Sequence, residues 1–260
     1  MSRTRVILKR IGKLLKFAVF CLLAAIIILL IWRVFSTSIP SELDILIPNE
    51  KLNAAYAQNG ENLYIFEQSY DPITRGSKNA GYFSIEQARF IPAANQAQVI
   101  FRYNNSTIKS LATDYKLSEV PDRETELFDV SLIFYVDLTP ENKDDNFLKN
   151  SEVTDTTAAF DMFINPATTK AIRLHPTDEK PQKTNIYNFY KYVYELDSAE
   201  ADLATLISND TLVAVHAEVY YNQDIDYEKD AYGIIRIFDQ RAENVAVRLT
   251  NEEKDMLKAN

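Results

Sequence analysis

An acidic loop near the C-terminus, residues 224–230, holds the side chains of this chain that are best spaced to bind a cation. Four carboxylates alternate in it with other residue types: Asp224, Asp226, Glu228 and Asp230. Alternating oxygen ligands are the pattern with which a loop wraps Ca²⁺. An EF-hand also needs Gly at loop position six and Glu at position twelve, where this chain has Lys229 and Ile235. Two interpretations therefore remain, a calcium-binding loop and a solvated acidic turn between two strands.

Tyrosines form a second set of candidates, because an exposed aromatic patch is a stacking platform for sugars. The set consists of Tyr187, Tyr190, Tyr192, Tyr194, Tyr220, Tyr221, Tyr227 and Tyr232. Within it, Tyr190, Tyr192 and Tyr194 share one face of a predicted strand over residues 184–196, and we assign them to a binding face. The competing interpretation is structural, since Tyr is favoured in strands and pairs across them.

Residues for catalysis are scarce. His175 and His216 are the two histidines, and the single cysteine, Cys21, lies in an apolar stretch. A zinc site would need carboxylates to complete its ligands, and no serine has the flanking residues of a nucleophile elbow. A hydrolase that uses a pair of carboxylates needs no local motif and remains the third-ranked hypothesis. We predict no enzyme activity, no catalytic residue, and no cofactor apart from the possible Ca²⁺.

All of these candidates follow an apolar segment, residues 17–35, which reads FAVFCLLAAIIILLIWRVF. At about 1.5 Å per residue, a helix over this segment spans about 28 Å, close to the ~30 Å of a bilayer core. The expected anchor positions are Phe17, Leu22, Ile27, Leu30 and Trp32. The alternative is a signal peptide cleaved near Ser36-Thr37-Ser38, but the apolar core is longer than such peptides have. We therefore predict an uncleaved signal anchor.

Charge predicts how this anchor is oriented. Residues 1–36 carry seven basic and no acidic side chains, whereas the whole chain has a net charge of −9, which leaves −16 for the remainder. The positive-inside rule places residues 1–16 in the cytoplasm as a basic tail and the rest outside the cell membrane. An acidic exterior excludes nucleic acid as a partner but leaves an envelope protein or a glycan. Export without disulfides is typical of a bacterial surface.

The remaining sequence predicts a β-rich domain. We expect a stalk over residues 36–48 and one extracytoplasmic domain over residues 49–260. The clearest strand, residues 127–138, places six apolar side chains in phase on one face. Eight to nine such strands follow one another as hairpins without the regular helices of βαβ units. Short helices are predicted to start after the cap residue Asn49 and after Thr250, which forms a capping box with Glu253. The predicted fold is mainly β, an antiparallel β-sandwich with a few short helices, and an α+β sheet is the alternative.

Three segments of the sequence resemble segments of known proteins: QVIFRYNNSTIKSL (98–111), VPDRETELFDVSL (120–132) and AYGIIRIFD (231–239). Together they resemble single-pass membrane proteins of Gram-positive bacteria with a sandwich-like ectodomain and no assigned activity. The resemblance covers most of residues 80–240 and implies a membrane topology but no site residues. The sequence thus predicts a structural or interaction module of the cell envelope. A domain that binds cell-wall glycan or Ca²⁺ is the second hypothesis.

Overall fold

The computed structural model describes residues 3–68, 83–138, 164–165, 167–198, 201–227 and 231–259. Two compact units make up the chain, one built on residues 1–38 with 184–186, and one comprising residues 39–183 and 187–260. The first unit contains helix α1 (Arg3–Thr37), which extends beyond both ends of the predicted apolar span. By length and composition this is the one helix of the described chain that can cross a membrane, and a signal sequence meets the same criteria.

The described strands of the second unit form two antiparallel sheets. They are β1 (Ile65–Gln68), β2 (Phe83–Ile91), β3 (Gln96–Asn104), β4 (Phe128–Asp137), β5 (Thr169–Leu174), β6 (Asp178–Lys183), β7 (Tyr187–Glu195), β8 (Leu212–Tyr221), β9 (Gly233–Asp239) and β10 (Asn244–Val247). One sheet has six strands in the order β10-β1-β2-β3-β7-β6, and the other has four in the order β5-β4-β8-β9. The prediction of a mainly β, antiparallel fold is therefore confirmed.

Within the described residues, five short α-helices accompany the sheets. They are α2 (Ser41–Asp44), α3 (Glu50–Asn59), α4 (Asn105–Asp114), α5 (Leu203–Ser208) and α6 (Asn251–Ala259). The predicted cap of α3 is confirmed, since Asn49 Oδ1 accepts from the Leu52 amide at 2.9 Å. The predicted capping box of α6 is also present, because the backbone amides of Thr250 and Glu253 each donate to the other's side chain.

The main hydrophobic core draws its side chains from both sheets. Phe83 of β2 and Tyr103 of β3 contact the ring of Phe128 on β4, with centroid distances of 5.0 and 4.9 Å. Phe90 of β2 lies 6.5 Å from Phe134 of β4 in an edge-to-face arrangement. Along the strands that contribute to this core, alternate side chains point into it, as the period-two pattern of the sequence predicts.

Strand β6 is an element that the sequence analysis missed. Its sequence, DEKPQK, is polar and contains Pro181, so it has neither the alternation nor the propensity of a strand. Among the described strands it pairs with β7 alone, and it forms an edge of the six-stranded sheet. Proline is tolerated at an edge because its missing N–H leaves no ladder bond unmade there.

Candidate functional site

The three tyrosines assigned to a binding face lie in the main core instead. Tyr190, Tyr192 and Tyr194 are 5%, 2% and 0% exposed, and the Tyr194 hydroxyl donates to the carbonyl oxygen of Val130 at 2.7 Å. Burial raises the pKa of the Tyr192 and Tyr194 hydroxyls well above the ordinary value. The assignment to a surface platform was wrong, because the second sheet covers this side of β7.

The acidic loop is described only in part. Asp224 ends a short 3₁₀ turn and is exposed, Asp226 is half-buried, and Glu228 and Asp230 lie outside the described residues. Among the described residues, no three His, Cys, Asp or Glu side chains lie close enough together to hold a metal ion. Calcium binding by the complete loop therefore stays a prediction.

A cluster that the sequence analysis did not assemble covers the outer side of the four-stranded sheet. We name it the polar-aromatic face, and its members are Asp129, Ser131, Arg173, His175, Glu218, Tyr220 and Tyr227. The pairing of β4 with β5 and β8 brings these residues together from positions almost 100 residues apart in the chain. The members on β4, β5 and β8 occupy strand positions that alternate with the core residues, so their side chains lie on the face opposite the core. His175 directly follows β5, and Tyr227 lies in the loop after β8.

Arg173 organises one half of the polar-aromatic face. Its guanidinium carbon lies 5.5 Å from the ring centre of Tyr220 and 5.1 Å from that of Tyr227, within cation–π range. Its Nη1 atom pairs with Glu218 at 2.9 Å, and the Tyr220 hydroxyl donates to the same carboxylate at 2.6 Å. Burial, followed by the charge of Glu218, raises the pKa of Tyr220. The phenol therefore remains a hydrogen-bond donor at neutral pH.

The other half of this face contains a serine, a histidine and an aspartate but not a catalytic triad. Ser131 Oγ lies 3.3 Å from His175 Nδ1 and donates to Asp129 Oδ2 at 3.1 Å, and the Tyr227 hydroxyl donates to the same oxygen at 3.2 Å. In a triad the carboxylate orients the imidazole, whereas here it binds the serine. Ser131 is also fully buried within its strand, so a substrate has no access to its oxygen.

The second histidine lies elsewhere on the same sheet. His216 of β8 is buried, with its ring 4.7 Å from that of Tyr135 in an edge-to-face arrangement. Glu218, which the sequence places two residues away on the same face, contacts Arg173 and Tyr220 as described above. The two histidines therefore occupy different surroundings, one buried and one, His175, exposed.

A second notable feature is the segment predicted as a stalk. Residues 41–48, which we name the strap, lie on the outer side of the six-stranded sheet and bury Leu43 and Leu46. Lys191 of β7 donates through Nζ to the carbonyl oxygens of Leu43 at 2.9 Å and Ile45 at 2.6 Å. Arg89 of β2 donates through Nη1 to the carbonyl oxygen of Asp44 at 2.7 Å.

Two further side chains hold the strap by its backbone. Gln98 of β3 accepts from the Ile47 amide at 2.9 Å and donates to the Ile47 carbonyl oxygen at 2.8 Å. Glu253 of α6 accepts from the Leu46 amide at 3.0 Å and pairs with Arg89 at 3.0 Å. The strap thus lies in a groove on the six-stranded sheet. The floor of this groove consists of Arg89, Gln98, Lys191 and Glu253, all buried and all hydrogen-bonded to main-chain atoms of the strap.

The cavity between β2 and β9 is too small for an organic ligand. It measures about 60 Å³ and is lined by residues such as Gln68, Glu86 and Arg236. Pockets for drug-sized ligands measure about 300–1,000 Å³, so this one has room for a few water molecules only.

Comparisons with protein-family models, with curated proteins and with solved structures find no match for this chain. The class of protein rests on the molecule itself: an apolar N-terminal helix followed by a mainly β domain of two antiparallel sheets.

Proposed function

We propose that this chain is a membrane-anchored interaction module of the bacterial cell envelope, without catalytic activity. In this proposal α1 crosses the cell membrane once with its N-terminus in the cytoplasm. The β domain lies outside, where it binds another envelope protein. The observation that carries the proposal is the exposure of the large apolar side chains of α1, including Phe17, Leu22, Ile27, Leu30 and Trp32. Such a surface is unfavourable in water and suits lipid.

The β domain supports this role as a rigid body. The two sheets contribute interdigitating aromatic side chains to one core, and we infer from this packing that they form a β-sandwich. Sandwich domains serve many binding functions without a catalytic site. The polar-aromatic face contains no accessible nucleophile paired with a base, which is consistent with a binding role.

The edges of the sheets suggest where a protein partner binds. Edge strand β6 carries Pro181 and several charges, which are the features that prevent pairing with another chain. The opposite edge, β10, has neither, and its Val245 is 48% exposed. An extended segment of a partner can pair with β10 by strand addition.

Removal of residues 2–37 tests the anchor. We expect the full-length protein to remain in the membrane pellet after alkaline washing and the truncated protein to move to the supernatant. A C-terminal tag should be digested by protease added to intact spheroplasts, whereas an N-terminal tag should be protected. Recovery of a shortened chain in the medium, with its new N-terminus near residue 38, would instead identify a cleaved signal peptide.

A charge on the free edge tests the partner surface. We expect a crosslinked envelope protein on full-length tagged protein in cells, and its loss when Val245→Lys places a cation on β10. Val120→Lys is the matched control, because Val120 is also exposed, to 57%, but lies in a loop. If both variants retain the crosslinked protein, β10 is not the binding edge.

The polar-aromatic face favours a second function, binding of a neutral glycan. Tyr227 is 38% exposed and His175 is also exposed, so two rings are available for stacking. The rings lie 5.0 Å apart beside Asp129, which is half-buried. Carboxylate, imidazole and phenol groups together can both donate to and accept from sugar hydroxyls. This arrangement supports the glycan hypothesis at a different place from the one that the sequence indicated.

Titration with neutral N-acetylhexosamine oligosaccharides tests this second function. We expect binding to the full-length protein in detergent and a loss of about tenfold in affinity for Tyr227→Ala, the usual effect of removing one aromatic contact. Tyr64→Ala should leave the affinity unchanged, because Tyr64 is similarly exposed but lies just before β1 of the six-stranded sheet. Absence of binding by the unmodified protein would remove this candidate.

A further inference from the structure

The strap is packed outside the main core of the β domain. Leu43 joins a small cluster with Ile100 and Phe189, and Leu46 joins a separate cluster with residues of α3 and α6. Neither leucine belongs to the core between the two sheets. Detachment of the strap therefore leaves the contacts that join the sheets intact.

The groove under the strap is polar although it is buried. Lys191 is 0% exposed and Glu253 is 1% exposed. Backbone carbonyl oxygens of the strap accept hydrogen bonds from Lys191 of β7, Arg89 of β2 and Gln98 of β3. Burying charge carries a desolvation cost that an apolar floor would not have. When the strap leaves, water can solvate these same groups, which lowers the cost of the open state. Such chemistry suits a contact that forms and breaks.

We propose that residues 41–48 are a releasable strap, which leaves its groove on β2, β3 and β7 by local opening while both sheets stay folded. Local opening at a free energy below that of global unfolding is common for segments that few apolar contacts hold. The anchoring contacts are two leucines and hydrogen bonds to side chains, without a strand ladder to a neighbour. Release exposes Arg89, Gln98 and Lys191 to solvent.

Release also changes the reach of the domain, and this consequence rests on the proposed membrane anchor. With the strap bound, the first buried residue after α1 is Leu43, six positions beyond the end of the helix at Thr37. With the strap free, the first buried residue is Leu52 of α3. At ~3.3–3.6 Å per extended residue, the longest tether grows from about 20 Å to about 50 Å.

The surroundings of Lys191 make opening depend on pH. Burial, helped by the charges of Arg89 and Lys180 and opposed by Glu253 and Asp44, lowers the pKa of Lys191 from 10.5 to about 7. In the open state the amine is hydrated and its pKa returns toward the ordinary value, so opening takes up a proton between these two pH values. Opening is therefore expected to increase as the pH falls from about 10 to about 7, by up to tenfold per unit, and to level off below 7.

Thiol labelling of the full-length protein in detergent tests the release. All variants carry Cys21→Ala, so that the introduced cysteine is the one thiol of the chain. The labelling rate of Leu43→Cys measures opening of the strap, and that of Val99→Cys measures opening of the core. Glu42→Cys gives the intrinsic reactivity of an exposed thiol in the strap. We expect Leu43→Cys to react at least tenfold faster than Val99→Cys at neutral pH. Equal rates for these two buried thiols would overturn the proposal, since the strap would then open only with the whole domain.

Hydrogen exchange of the unmodified protein provides a readout without a buried substitution. The amides of Leu46 and Ile47 donate to side chains, and we expect them to exchange at least tenfold faster than that of Val99 after correction for intrinsic rates.

In Lys191→Met, the ratio of Leu43→Cys to Glu42→Cys labelling should lose its pH dependence. A pH dependence that persists in this variant would overturn the role of Lys191. Neither experiment needs a membrane, so failure of the anchor proposal is seen separately.

Discussion

Replacement of Glu253 by alanine is expected to lower the free energy of unfolding by about 3–5 kcal/mol, because it removes the buried partner of Arg89 and leaves only the exposed carboxylate of Asp44 at 3.4 Å. The Glu253 carboxylate pairs with Arg89 at 3.0 Å and accepts from the amides of Leu46 at 3.0 Å and Thr250 at 2.8 Å. One side chain thus joins strand β2, the strap and the start of α6. The measurement is a urea titration of the full-length protein in detergent, followed by tyrosine fluorescence.

The neighbouring glutamate is the matched control for this substitution. Glu252 occupies the same first turn of α6 but is exposed, so Glu252→Ala should change the free energy of unfolding by less than about 1 kcal/mol. The double variant Arg89→Met with Glu253→Leu should recover part of the loss, since it removes both buried charges together. Equal losses for Glu252→Ala and Glu253→Ala would show that the Arg89 pair contributes nothing to stability.

Phe128→Ala is expected to have an effect of similar size, about 3–5 kcal/mol, through loss of packing between the sheets. Phe128 is buried on β4, and its ring contacts Phe83, Tyr103 and Tyr232. Truncation to alanine removes most of these contacts and leaves a cavity that rigid neighbouring strands cannot fill. The same urea titration measures the loss.

Two comparisons make the Phe128 experiment specific. Phe128→Leu keeps most of the buried volume and should cost less than Phe128→Ala. Tyr64→Ala removes an aromatic ring that is 46% exposed and should cost less than about 1 kcal/mol. If Phe128→Ala is no more destabilising than Tyr64→Ala, the two sheets do not share the core described above.

Features that depend on neighbours in sequence were predicted well. The alternation along β4 indicated its buried face, and the capping residues Asn49 and Thr250 marked the starts of α3 and α6. Each of these signals is local, because a strand repeats every two residues and a helix cap reaches only three residues ahead. The apolar run of α1 is likewise a property of consecutive residues.

The candidate sites were predicted poorly, because their partners lie far apart in the chain. Both sides of β7 read as apolar or aromatic, and nothing local indicated that the second sheet would cover Tyr190, Tyr192 and Tyr194. The polar-aromatic face joins Asp129 to Tyr227 across 98 residues, a contact that only the strand order creates. The remaining signal in the sequence was the list of tyrosines, which included Tyr220 and Tyr227 without the charged and polar side chains around them.

By itself, therefore, the sequence determined an apolar N-terminal helix, an acidic β-rich remainder and the approximate positions of strands such as β4 and β7. Only the tertiary structure decided the order of the strands, the burial of the tyrosines on β7 and the docking of the strap. Lys191 illustrates the reason: in the sequence it is one lysine among tyrosines, and in the fold it bonds two carbonyl groups about 150 residues away. Hydrophobic periodicity determines which face of a strand is buried, but the partners of a buried polar group depend on the whole topology.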